Sequence, residues 1–147
     1  MDIRVQSAPF DYGQECAKFA QNAANSGAIV TFCGIVRDHD DGTLTSMDIE
    51  HYPGMTERAL GRIADDANRR WSLNQCLIIH RYGPLRPGDQ IMMVATASRH
   101  RSDAFAAAEF LMDYLKSRAP FWKKEVTRTG SEWVAAKDVD EDALKRW

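Results

Sequence analysis

The alternation of apolar and polar positions along the chain predicts several short strands. Residues 28–36 are rich in β-branched and aromatic side chains and stop at the turn-rich residues 38–42, which is typical of a strand that enters a turn. We expect residues 44–51 to return as the hairpin partner of this strand. A Pro-Gly pair within residues 84–89 predicts a turn between two further strands. The predicted strands are residues 3–5, 28–36, 44–51, 76–82, 90–97, 121–128 and 132–136.

Apolar residues at helical spacing predict two long helices and two shorter ones. The first long helix spans residues 56–71, and the second is expected to begin at a Ser102 cap and to end before Pro120. Its predicted buried stripe is Phe105, Ala108, Met112 and Leu115. The shorter helices are expected at residues 14–24 and from about Asp140. This order predicts a single α+β domain over residues 1–147, with a mostly antiparallel sheet covered by helices.

Composition and charge narrow the possible functions. The chain has 19 basic and 21 acidic side chains, a formal net charge of −2, so we expect no nucleic-acid partner that needs a broad basic surface. Three cysteines without a C-x-x-C pair indicate neither a disulfide framework nor a zinc knuckle, and they suit a reducing cytoplasm. No signal-peptide pattern and no membrane-length apolar run is present. We therefore expect a cytoplasmic protein that is neither secreted nor membrane-inserted.

Against this acidic background, residues 111–128 form a concentrated positive patch. Their five cations and two carboxylates leave a local charge of +3. The cations are Lys116, Arg118, Lys123, Lys124 and Arg128. Cations near a helix end also stabilise the helix, and Asp113 is spaced to pair with Lys116. The functional alternative is that crowded ammonium groups lower a lysine pKa until it serves as a nucleophile or proton carrier.

The spacing of the neighbouring lysines predicts that only one of them faces a given pocket. In an extended segment after Pro120, Lys123 and Lys124 project to opposite faces. Phe121 and Trp122 are expected to be core or interface residues rather than ligand stackers.

Three other features are candidates for chemistry. The tripeptide Arg99-His100-Arg101 lies between an apolar strand and the first turn of a helix, whose N-terminus favours a phosphate, although a solvated loop with a histidine that caps or packs is an equal alternative. Arg37, at a strand end, is a third anion candidate. Cys33 suits a small buried residue better than a sulfur carrier. The four histidines lack H-x-x-x-H or H-x-H spacing, so we expect no metal site.

Five ordered motifs, spanning nearly the whole chain, resemble those of the molybdopterin synthase large-subunit family. The motifs are residues 31–37 (TFCGIVR), 50–55 (EHYPGM), 80–89 (HRYGPLRPGD), 98–105 (SRHRSDAF) and 113–125 (DYLKSRAPFWKKE). The resemblance implies an α/β hammerhead fold with an added β-rich subdomain. It also implies a homodimeric core that binds two copies of a small ubiquitin-like sulfur-carrier subunit as a heterotetramer.

The resemblance further implies a sulfurtransferase without a cofactor. The carrier's C-terminal Gly-Gly thiocarboxylate would sulfurate cyclic pyranopterin monophosphate to molybdopterin, in molybdenum cofactor biosynthesis. By position, Lys116 and Lys123 match the catalytic lysines. The implied substrate-binding residues are Ile35, Val36, Arg37, His100, Arg101, Lys124 and Glu125. The resemblance leaves open whether Ile35 and Lys137 themselves contact an anion.

Two rival interpretations remain from the residues alone. A small RNA-binding domain would use the positive patch with Phe121 and Trp122 as stacking surfaces, and the net charge of −2 weighs against it. An unrelated Schiff-base enzyme would use a lysine against a phosphorylated carbonyl compound.

Overall fold

The computed structural model describes residues 1–135 and 137–147, which form strands and helices in mixed order. The strands are β1 (Asp2–Gln6), β2 (Ala28–Ile35), β3 (Leu44–His51), β4 (Gln75–Arg81), β5 (Gly83–Leu85), β6 (Gln90–Ser98), β7 (Phe121–Thr127) and β8 (Gly130–Trp133). The helices are α1 (Tyr12–Gln21), α2 (Met55–Trp71), α3 (Arg101–Ser117) and α4 (Asp138–Ala143), with a 3₁₀ turn at Leu144–Arg146. The α+β class predicted from the sequence is confirmed.

The strands divide into two sheets. Sheet A has the order β1-β4-β6-β2, and sheet B has the order β5-β3-β7-β8. Only the β1–β4 pair is parallel among the pairs of the described residues. Sheet B is the β-rich addition that the family resemblance implied.

Sheet A is buried on both faces because its central strands β4 and β6 carry mostly apolar side chains, with His80, Thr96 and Ser98 as buried polar residues. On β4, Ile78 packs with the residues of α2 and α3, while Leu77 and Ile79 pack with Phe19 of α1. The period-two alternation of a strand therefore supplies two separate cores, one on each side of the sheet. Helices α2 and α3 cover one face and α1 covers the other.

The predicted hairpin of residues 28–36 with residues 44–51 is wrong. Strand β2 pairs with β6 in sheet A, and β3 pairs with β5 and β7 in sheet B. The reason is Val36, which is 2% exposed and whose backbone exchanges hydrogen bonds with the 88–89 turn: its N–H donates to the Asp89 carbonyl, and its carbonyl accepts from Gly88. The following residues cross to sheet B instead of turning back.

Helix α3 begins and packs differently from its prediction. Its N-cap is His100 rather than Ser102, and no side chain caps it. Phe105 is 62% exposed, whereas Phe110 is fully buried against Trp71 and Tyr114. The buried residues are Ala104, Ala107, Ala108, Phe110, Leu111 and Leu115. Ala104, Ala107, Ala108 and Leu111 form the buried stripe at helical spacing, and Phe105 lies on the exposed side of the helix.

The other differences lie at element boundaries. Strand β5 occupies part of the predicted 84–89 turn, because it pairs with β3 of sheet B. Helix α1 begins two residues early, at Tyr12, where the Asp11 side chain accepts from the Gln14 N–H as an N-cap. Strand β8 ends at Trp133, and position 136 of the predicted last strand lies outside the described residues.

Candidate active site

Lys123 points from sheet B toward the interior of the protein. Its register partner on β3 is Ile49, which is buried, and directly paired residues of antiparallel strands share a face. Phe121, on the same face two residues earlier, stacks on the His80 ring at 3.7 Å between centroids. Lys123 is therefore the inward member of the lysine pair, as the alternation predicted for one of the two.

Lys124 occupies the opposite face of the same strand. Its Nζ lies 5.5 Å from the centre of the Trp133 ring, its register neighbour on β8. Trp122, also on this outer face, is 44% exposed and meets Tyr52 edge-on. A ligand beside the Lys123 ammonium group does not meet the outer face from which Lys124 and Trp122 project.

The pKa of Lys123 is lowered from its ordinary value. Burial is the main cause, because it disfavours the charged ammonium, and the positive charge of Lys116 is the second. Asp140 of α4 opposes the shift, and Lys137 adds to it. The crowding of ammonium groups considered from the sequence is thus present, and its effect falls on Lys123.

Lys116 lies in the last turn of α3, with its side chain exposed. The predicted pair with Asp113 is absent. Asp113 Oδ2 instead accepts from Arg146 at 2.6 Å and from the Trp147 indole N–H at 2.7 Å. Within residues 1–135 and 137–147, Lys116 makes no ion pair, so its ammonium group remains available to an anion.

His80 is a neighbour of Lys123 that sequence reasoning missed. Burial lowers the pKa of its imidazole to about 3, and the positive charge of Lys123 contributes to that shift. Its Nδ1–H donates to the Arg81 carbonyl at 2.8 Å, so a neutral ring has its proton on this nitrogen. The sequence feature that could have identified His80 is its position at the start of the 80–89 motif, directly after an apolar strand.

The residues proposed to anchor an anion lie at two ends of the molecule. Arg37 follows β2 at the end where Ile35 pairs with Gln90, whereas His100 follows β6 at the end where Ala28 pairs with Ser98. Seven residue steps of strand separate these ends by roughly 23 Å. Helix α3 runs back from His100 to Lys116, which is about 24 Å at 1.5 Å per residue. One copy of the chain therefore places Lys116, with Lys123 near it, toward the end of sheet A that Arg37 follows, and places His100 and Arg101 at the opposite end.

The remaining predicted substrate-binding residues have diverse environments. Val36 is buried in the core, and Ile35 beside it is 56% exposed. Glu125, two residues beyond Lys123, is in direct contact with His39 through Oε2 and Nε2. His39 was not singled out from the sequence, because a histidine in a turn-rich segment carries no local signal.

The cysteine and metal-binding side chains outside the lysine region show no arrangement suited to catalysis in the part of the chain that the structure describes. Cys33 is only partly buried, and burial raises the pKa of its thiol, which disfavours the thiolate needed for sulfur transfer. In the part of the chain that the structure describes, no three His, Cys, Asp or Glu side chains are placed to hold a metal ion. None of the helices described has the length and apolar character to cross a membrane.

The family model described as MoaE protein matches residues 5–118 of this chain. The chain belongs to the MoaE family. A relative from Cereibacter sphaeroides, named molybdopterin synthase catalytic subunit, is 63% identical over 147 residues and covers 100% of both chains. Such identity over the full length extends the similarity through β7, which lies beyond the family match.

Solved MoaE structures share the fold. A molybdopterin biosynthesis MoaE protein from Burkholderia ambifaria MC40-6 aligns with a TM-score of 0.85 and 51% identity, covering 99% of this chain and 97% of that one. A complex of subunits 1 and 2 of molybdopterin-converting factor from Helicobacter pylori 26695 aligns at 0.77 with 19% identity, covering 92% and 90%. At 19% identity the second likeness concerns the fold alone.

Proposed function

We propose that this chain is the catalytic subunit of a molybdopterin synthase and acts in the cytoplasm. It would convert cyclic pyranopterin monophosphate to molybdopterin with sulfur from the thiocarboxylate of a small carrier subunit. The observation that carries this proposal is Lys123, an inward lysine with a lowered pKa beside the exposed Lys116 in a MoaE fold. A thiocarboxylate and a phosphate are both anions, and this region gathers cations in a protein whose net charge is −2.

The two lysines suit different steps. Lys116 is exposed at the helix end, so it positions the incoming thiocarboxylate and assists proton transfer or transient covalent capture. Lys123 is half-buried, where an ammonium group stabilises an oxyanion more strongly than it would in water. Its lowered pKa also makes it a readier proton donor to that oxyanion.

A second copy of the chain completes the pocket in this proposal. His100 and Arg101 lie roughly 24 Å from Lys116 along α3, too far to bind one small substrate with it. A homodimer that brings the His100 end of one copy to the Lys116 end of the other would unite the phosphate anchors with the lysines. The carrier subunit would then dock once per copy, giving a heterotetramer.

Turnover of lysine variants tests the proposal directly. With a thiocarboxylated carrier, Lys116→Ala and Lys123→Ala are each expected to reduce product formation by roughly 10²- to 10⁴-fold, the range for a lost acid–base or oxyanion group. Lys145→Ala, which removes an exposed lysine paired with Asp142, is the control and should turn over normally. Near-normal turnover in both site variants would contradict the catalytic roles of Lys116 and Lys123.

Mixing variants tests the second-copy arrangement. His100→Ala and Lys123→Ala proteins that are separately inactive should regain about a quarter of the wild-type activity when co-refolded, because half of the dimers are hybrids with one intact pocket. Activity that stays at the level of the separate variants would mean that one copy supplies all residues of a pocket.

Borohydride trapping of a phosphorylated carbonyl compound without any carrier would instead favour the Schiff-base alternative.

A further inference from the structure

The segment that joins the two sheets carries Arg37 between two fixed points. On the sheet A side, Val36 is buried and held by backbone hydrogen bonds to residues 88 and 89. On the sheet B side, the Leu44 N–H donates to Asp38 Oδ1 at 3.0 Å as β3 begins. Arg37 is itself exposed, so its position depends on how this connection is held.

His39 ties the middle of the connection to sheet B. Its Nε2 contacts Glu125 Oε2 on β7, and its Nδ1 lies 3.2 Å from Thr43 Oγ1. These two contacts link residues on both sides of the 40–42 turn to the strand that carries Lys123. Among residues 1–135 and 137–147, the other side-chain hydrogen bond from this loop to sheet B is the one that Asp38 accepts from the Leu44 N–H.

The hydrogen-bond directions require both nitrogens of His39 to donate. The Thr43 hydroxyl gives its one proton to Asp41 Oδ1 at 2.7 Å, so toward His39 it can only accept. An ionised Glu125 carboxylate also only accepts. A neutral imidazole has a single N–H, whereas an imidazolium has two, and so the geometry is that of a cationic His39.

We propose that His39, as an imidazolium held between Glu125 and Thr43, is a positioning residue that places Arg37 for the phosphorylated substrate. This inference rests on the proposed function and adds a role for two residues outside the lysine pair. Glu125 then acts through His39 rather than by touching the substrate. The consequence is that substrate capture weakens as His39 loses its proton.

The charges around His39 support its cationic form. Three carboxylates bear on it, and all favour the imidazolium: Glu125 of β7 and Asp38 and Asp41 of its own loop. Glu132 of β8 lines the same cavity of about 520 Å³, and Arg37 is the nearest cation in sequence. The pKa of His39 is raised, chiefly by the hydrogen bond to Glu125. The clamp, by which we mean His39 held between Glu125 and Thr43, is therefore complete below that pKa and is lost as pH rises through it.

The first measurement is the titration of the His39 ring by NMR, with its signal assigned from His39→Gln. We expect a midpoint above the ordinary value of 6.5 in the wild type and a lower one in Glu125→Gln. A wild-type midpoint at or below 6.5 would overturn the proposal. This measurement needs no substrate, so it separates the state of the clamp from the enzyme's activity.

The second measurement is binding of the phosphorylated pterin to the protein without a carrier, by calorimetry at several pH values. At about pH 6, His39→Gln should bind roughly tenfold more weakly than the wild type, the effect of one charge-assisted hydrogen bond. The two proteins should converge as the pH rises through the raised pKa of His39, because both side chains are then neutral. In turnover, the variant should raise KM and leave kcat nearly unchanged.

The control is Asp66→Asn, which removes an exposed ion pair with Arg69 on α2 and should follow the wild-type curve. Equal affinity of His39→Gln and wild type at about pH 6 would refute the positioning role while leaving the lysine assignments intact. Normal pterin binding with no sulfur transfer by the wild type would instead refute the proposed function. Failure of the wild type to bind the pterin would refute both.

Discussion

Sheets A and B differ in what their strands turn toward the interior. On β4 and β6 of sheet A, both faces are mostly apolar and helices cover both of them, with His80 at the end of β4 as the buried ionisable exception. On β7 of sheet B, the inward face begins with Phe121, continues with Lys123 and then reaches Glu125. The same period-two alternation thus builds a dry core in one sheet and a partly buried ionic site in the other.

This difference separates stability from chemistry within one small protein. Burying an ammonium group costs free energy, which appears as the lowered pKa of Lys123. Sheet A offsets such a cost because its residues are packed around Phe110 and the apolar strands. Two substitutions test whether stability and chemistry divide between the sheets in this way, and a third measures an exposed contact for comparison.

The largest change in stability is expected in the sheet A core. Phe110→Ala should lower the free energy of unfolding by about 3–5 kcal/mol, because it removes a fully buried ring. Denaturant titration at constant pH measures the loss. Phe105→Ala is the matched control on the same helix, since Phe105 is 62% exposed, and it should change stability by at most about 0.5 kcal/mol. Similar losses in both variants would mean that α3 is packed differently.

A smaller change in the free energy of unfolding, of opposite sign, is expected when Lys123 is replaced. Lys123→Met should raise the free energy of unfolding near neutral pH by roughly 1 kcal/mol, because it replaces a buried cation with an apolar chain. The pKa of Lys123 is lowered, so wild-type stability should rise with pH between the folded value and the ordinary 10.5. The advantage of Lys123→Met should therefore shrink toward alkaline pH.

Thermal unfolding from neutral to alkaline pH checks the Lys123 prediction. Lys145→Met supplies the baseline, because Lys145 is exposed and its variant should show no such pH-dependent advantage. A Lys123→Met protein less stable than wild type at neutral pH would mean that the ammonium group stabilises the fold. The division between a stabilising sheet A and a sheet B that bears the cost of a buried charge would then be wrong.

The smallest change in the free energy of unfolding is expected at the surface contact between α3 and α4. Glu141→Gln weakens the exposed pair with Arg118, whose atoms are 2.6 Å apart, and should cost no more than about 0.5 kcal/mol. The midpoint of urea unfolding in low and high salt measures this. A loss above about 1 kcal/mol would show that α4 contributes to the core more than its exposed surface suggests.

The sequence predicted those features that depend on local periodicity. Strand β3 was predicted with its exact bounds, and α2 to within one residue, because turns and caps lie directly beside them. The opposite orientation of Lys123 and Lys124 also followed from alternation alone. The assignment of site residues came from the family resemblance, and it stays a prediction.

Features that depend on long-range pairing were not predictable from local pattern. Nothing in residues 28–51 shows that β2 and β3 belong to different sheets, because the buried Val36 and its bonds to residues 88–89 decide it. The distance between Arg37 and His100 was not predictable from the sequence either, because it depends on how β2 and β6 pair. The His39–Glu125 contact joins residues 86 positions apart, and no spacing rule relates them.

Helix α3 sets a constraint on how this protein can evolve. Its 17 residues fix both the distance between His100 and Lys116 and the direction in which Lys116 points, since each residue turns the helix by about 100°. Exposed positions such as Phe105 can change their identity without altering either quantity. An insertion or deletion of a single residue cannot, and so we expect lineages of this protein to vary α3 in sequence while keeping its length.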